Sequence, residues 1–112
     1  MAVTRKRLFA PALLGNSAGN YYTAGTGVRT LLTKIVFANT DSSDRSVSVH
    51  LVPAGDPPAP ANLLVKEKPV YAGETVGLPE IVGLILNPGD SLQAFADLDS
   101  KVVIHGGGVE IV

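Results

Sequence analysis

Apolar and polar positions are most informative between Arg29 and Pro53, RTLLTKIVFANTDSSDRSVSVHLVP. In the first half, Leu31, Leu32, Ile35, Val36, Phe37 and Ala38 occupy odd and even positions alike, as in a strand covered on both faces. The second half alternates. Val47, Val49 and Leu51 fall on one face and Ser46, Ser48 and His50 on the other, which predicts a strand with one face in the core and one facing water. Asn39 to Arg45, between them, is a run of turn formers whose short side chains bond nearby backbone. Together these features predict a long β-hairpin around which the other elements are arranged.

Elsewhere the chain reads as short strands separated by turn chemistry. Residues 1 to 19 have no helical periodicity and are broken by Pro11, Gly15 and Gly19, which predicts an extended N-terminal arm lying along its own body or an adjacent subunit. Residues 20 to 112 are expected to form the folded domain. Pro53 to Asn62 carries four of the chain's eight prolines and predicts a stiff surface crossover, because proline cannot donate to a ladder. Leu63 to Val70 resumes extended structure and Ala72-Gly73-Glu74-Thr75 turns it. Thr75 to Leu86 is a strand or two short ones with a bend, since Pro79 and Gly83 interrupt it. Asn87-Pro88-Gly89-Asp90 has the chemistry of a tight turn, Ser91 to Asp97 is a strand, and Val102 to Val112 is the last one. Gly106-Gly107-Gly108 inside that last strand signals a bulge or a close approach of backbone. Seven or eight short strands with turns about every ten residues predict one all-β antiparallel sandwich or jelly roll.

Composition narrows the picture. A chain of 112 residues is one domain that can bury about 65% of its unfolded surface without covalent staples. It has no cysteine, which excludes disulfides, thiolate metal sites and cysteine nucleophiles. With three Phe, three Tyr and no Trp, the core must be aliphatic. Leu8 to Leu14 is short for a secretory h-region and contains Pro11, and no stretch reaches the roughly 20 apolar residues of a membrane helix. A soluble protein that uses no membrane is expected.

Charge is unevenly placed. Residues 1 to 40 hold Arg5, Lys6, Arg7, Arg29 and Lys34 and no acid, whereas the remainder holds four bases and ten acids, so a +5 segment precedes a −6 one. Such a basic stretch suits an acidic surface, either nucleic acid or the body of a neighbouring copy of this chain. Three clustered bases with no interleaved aromatic rings argue against nucleic acid as the partner.

Candidate chemistry is thin. His50 and His105 lack HxH or HxxxH spacing, so no metal site is expected from them. Asp97 with Asp99, or Asp41 with Asp44, lacks the glycine and terminal glutamate of an EF-hand loop. No GxSxG elbow or P-loop ending is present, and few rings are available to stack a sugar. Neither a catalytic residue nor a cofactor is expected.

Arg29-Thr30 entering an aliphatic strand, Asn39-Thr40 closing it, Asp44-Arg45 opening the next and His50-Leu51-Val52-Pro53 ending it form a recognisable series. With Ala72-Gly73-Glu74-Thr75, Pro88-Gly89-Asp90, Gln93-Ala94 and Gly108-Val109-Glu110-Ile111, the chain resembles small β-sandwich virion proteins of tailed bacteriophages. The resemblance implies a non-enzymatic virion protein, made in the host cytoplasm, whose partners are the major capsid protein or other virion proteins. The leading expectation is a capsid decoration or cement subunit acting as a homo-oligomer, with a trimer the state considered. The alternative is a tail, baseplate or fibre-associated module. Contacts are expected through Arg5, Lys6, Arg7, Leu8, Phe9, Leu13 and Leu14 of the arm. Leu32, Val36 and Ala38 are expected to provide an apolar outer face on the long strand. Deleting residues 1 to 14 should then leave a folded sandwich that no longer associates.

Overall fold

Strand β3 (Arg29–Asn39) lies in one sheet and β4 (Arg45–Val52) in the other, in a computed structural model that describes residues 2–112, the side chain of Phe9 excepted. The first sheet has the order β1 (Val3–Leu13), β9 (Val102–Ile111), β3, β6 (Thr75–Gly77), with the two-residue β7 (Ile85–Leu86) pairing farther along β3. The second runs β2 (Gly19–Thr23), β8 (Ser91–Ala96), β4, β5 (Leu63–Val70). All pairings are antiparallel. With β7 set aside, the chain crosses between sheets at every connection except β4 to β5, which is the winding of a jelly roll. The all-β sandwich expected from the turn spacing is therefore the fold, with nine strands among the described residues.

The bounds of the central pair match the alternation, but the pair is not a hairpin. Leu32, Ile35 and Phe37 of β3 and Val47 and Val49 of β4 are all buried in the same core. The two strands face each other across it and do not share hydrogen bonds. Residues 40 to 44 make the crossing. Asn39 holds it by donating from its side-chain amide to Ser43 O and Val70 O, both at 2.9 Å, and accepting from Asp41 N at 2.9 Å. Alternation reports which face of a strand is apolar and is silent on which strand lies beside it.

Leu32 is a second correction. It was expected on the outer face with Val36 and Ala38, yet it is fully buried. A register shift between Leu32 and Lys34 inserts an extra residue opposite β9, so Leu32 turns inward with Ile35 and Phe37. Val36 and Ala38 remain half-buried on the outer side.

The face of β4 expected to be wet is also covered. Ser48 and His50 are buried, because the 3₁₀ turn Pro60–Asn62 at the end of the proline-rich crossover packs against β4. Asn62 Oδ1 lies 2.8 Å from His50 Nδ1, the His50 ring stacks on Phe95, and Ser48 Oγ accepts from Glu67 N at 3.0 Å.

The stretch expected as an arm is β1, an edge strand of the molecule's own sheet. It pairs with β9 from Val3 opposite Ile111 to Leu13 opposite Val103, and Leu8 and Leu14 enter the core. Each buried leucine contributes about 1.5–3 kcal/mol. The break between arm and body placed at residues 19 and 20 does not divide the sheets. Both long edges resist pairing with other chains, β1 through Arg5, Lys6, Arg7 and Pro11, and β5 through Lys66, Lys68, Pro69 and the positive φ of Glu67.

At the centre of the first sheet, β9 is pressed between β1 and β3. A Cβ at Gly108 would overlap Leu31 O and lie 2.9 Å from Leu8 Cδ1, so only glycine fits, as the triplet suggested. Gly107 differs, since its nearest neighbour is Lys6 O at 3.5 Å, an ordinary contact. The Asn87–Asp90 turn forms as expected, with Gly89 at φ 88° and Asp90 N donating to Asn87 O at 2.9 Å.

Two outcomes follow for thermal melts. Gly108→Ala is expected to destabilise by about 1–3 kcal/mol, and Gly107→Ala to stay within about 0.5 kcal/mol of the parent. Deleting residues 1 to 14 removes Leu8, Leu14 and the partner of β9, so the shortened chain is expected to lose its cooperative melt instead of surviving as a sandwich.

Candidate functional site

Removing side chains from the middle of a sheet leaves a trough. Gly107 of β9 does this on the outer face of the first sheet, where it lines a groove of about 640 Å³ together with Gly106 and Gly108. Arg5, Lys6 and Arg7 of β1 line one side, and Thr33, Lys34 and Val36 of β3 the other. His105 and Val109 also line it. The register shift that buries Leu32 also places Thr33 here, donating from Oγ1 to Gly107 O at 3.1 Å. A second hollow of about 320 Å³ shares Thr33 and Lys34 and extends toward Leu78, Pro79 and the exposed Val82.

The cations divide into two kinds. Lys6 Nζ is committed to Glu110 Oε1 at 3.1 Å. Arg5, Arg7 and Lys34 are exposed and form no salt bridge among the described residues. A guanidinium so placed keeps its planar fork of donors for an incoming carboxylate or phosphate.

Behind the groove a polar network ties the two sheets. Tyr22 Oη of β2 donates to Glu110 Oε2 of β9 at 2.5 Å and shares a hydrogen bond with Thr30 Oγ1 of β3 at 2.7 Å. Burial, reinforced by the hydrogen bond to Glu110, pushes the Tyr22 hydroxyl up from 10.0 to about 12. The Tyr22 hydrogen bond, with Lys6 beside it, holds the Glu110 carboxyl below its ordinary 4.5. Asp41 is likewise lowered, chiefly by the backbone N–H of Ser42 and then by Arg45. These shifts belong to structural pairs, and none of the three side chains lines the groove.

The residues expected at an interface separate accordingly. Arg5, Lys6, Arg7 and Val36 come together in the groove, and Ala38 lies farther along the same outer face of β3. Leu8, Leu14 and Leu32 belong to the core. Leu13 is exposed at the end of β1, and the side chain of Phe9 lies outside the described residues. Reasoning from sequence missed Thr33, Lys34, His105 and Val109 as parts of one site. The glycine triplet and the excess of bases in the first forty residues were the available signals, and what joins them is the pairing of the first strand with the last. Among the described residues no group of three His, Cys, Asp or Glu side chains could hold a metal ion, and no helix is long and apolar enough to cross a membrane.

No protein-family model, curated protein or solved structure matches the chain.

The network sets the response to pH. Because the Glu110 carboxyl is lowered on folding, its contribution is complete above 4.5 and is lost as pH falls through its folded value. The Tyr22 hydroxyl is raised, so its contribution is complete below 10.0 and is lost as pH rises toward 12. Denaturant titrations across pH should show Glu110→Gln flattening the acid limb below 4.5, with the part due to Asp41 remaining, and Tyr22→Phe flattening the limb between 10.0 and 12.

Proposed function

We propose that this chain is a non-enzymatic structural component of a bacteriophage particle, a decoration or cement subunit that docks through the outer face of its first sheet. The observation that carries the reading is the open groove, rimmed by Arg5, Arg7 and Lys34, which are exposed and which no other element among the described residues covers. A face of this kind, flanked on one side by the β1 edge that is blunted against strand addition, suits side-chain docking on a lattice. The jelly-roll winding and the resemblance of the turn motifs to those of small virion sandwiches support the same reading, while the perturbed carboxyl and hydroxyl groups are engaged in holding strands together.

Mechanically, the subunit grips its neighbours without chemistry. A stable contact buries about 1,500 Å², and repetition over a shell multiplies a modest affinity per site. The proposed working form is a homo-oligomer, whose copies would present several such faces at once.

Co-sedimentation with empty capsids tests the proposal. The parent protein is expected to pellet with capsids and to be released by raised salt, and Arg5→Ala/Arg7→Ala/Lys34→Ala is expected to weaken binding at least tenfold while leaving the melt in place. Binding to isolated tails and not to capsids, or binding indifferent to these substitutions, would contradict it.

A further inference from the structure

We infer that the groove on the outer face of the first sheet receives an extended, acidic polypeptide segment from a partner protein. The inference rests on the reading of this face as a docking surface and adds the chemistry of what docks. Strands in a sheet lie about 4.8 Å apart, so the side-chain rows of β1 and β3 on either side of β9 stand about 10 Å apart. With glycine between them, the trough is about as wide as one extended chain.

Its lining selects the occupant. Val36 and the aliphatic stems of Arg5, Arg7 and Lys34 give apolar walls, Val109 of β9 adds apolar surface to the floor, and the charged heads rise to the rim. Small or branched side chains can settle over Gly107 while alternate carboxylates reach the rim, where arginine binds them in a two-pronged geometry. The two-residue period of a strand places those carboxylates at the spacing of Arg5 and Arg7, which alternate along β1.

Nucleic acid fits the same lining poorly. A single strand is held by stacking its bases on aromatic rings, and His105 provides the one ring among the described residues that line the groove. A duplex is wider than the trough.

The experiment uses the full-length protein and a blocked, fluorescently labelled eight-residue peptide of alternating Glu and Val, read by anisotropy. An alternating Lys and Val peptide and a single-stranded DNA oligonucleotide serve as competing probes. The acidic peptide is expected to bind, to weaken with salt, and to lose at least tenfold in affinity with Arg5→Ala/Arg7→Ala. Gly107→Val should cause a similar loss by filling the trough, and the ordinary 3.5 Å contact that a Cβ at Gly107 makes with Lys6 O predicts that this variant folds. If it does not, the arginine variant carries the test. Absence of acidic-peptide binding overturns the inference, as does equal binding of the basic peptide, tighter binding of DNA, or affinity unchanged in folded Gly107→Val. The docking reading fails separately, if folded Gly107→Val loses the peptide yet binds capsids as the parent does.

Discussion

The close packing of β9 between β1 and β3 is the constraint on which the first sheet depends. Three backbones approach so tightly at Gly108 that a methyl group would meet Leu31 O and the Leu8 side chain. That approach seals the core from below with Leu8 and Leu32 and, on the opposite side of the same sheet, leaves the trough at Gly107. Core closure and the groove thus arise from one run of glycine, used on one face for contact and on the other for space.

Polar interactions are placed to hold crossings that hydrogen-bonded ladders cannot hold. Tyr22, Thr30 and Glu110 join the second sheet to the first, with Lys6 adding the edge strand. Asn39 closes the passage from β3 to β4, and Asp90 accepts from Ala54 N and Asn87 N at the other connections. The Asn39 and Asn87 contacts lie where the chain leaves one sheet for the other, and the Ala54 contact lies in the β4–β5 connection within the second sheet. Lys6 is thereby withdrawn from the basic cluster, and Arg5, Arg7 and Lys34 are left to define the charge of the outer face.

Strand positions were legible because alternation and turn chemistry are local. The two arms about Asn39 to Arg45, the β5 segment and the Asn87–Asp90 turn all lie where their residues place them. Pairing was not legible, since it is decided by contacts far apart in sequence: β1 meets β9 across nearly the whole chain, and β3 faces β4 across the core. The N-terminal stretch misled for a physical reason. Its basic run and Pro11 suit an arm laid along its own body or an adjacent subunit, and the same features suit an edge strand of its own sheet, whose outward groups remain in water. Arg5, Lys6, Arg7 and Val36 of the candidate site followed from the sequence. The rest needed the register shift at Thr33 and the neighbourhood of the last strand.

The central claim is that the outer face of the first sheet is the surface that docks. Lysine acetylation mapped by mass spectrometry, on the protein bound to empty capsids and on the free protein, tests it most directly. Lys34 lines the groove, whereas Lys66 is exposed on the β5 edge of the other sheet. The account predicts that capsid binding protects Lys34 and leaves Lys66 reactive; protection of Lys66 with Lys34 still reactive would contradict it.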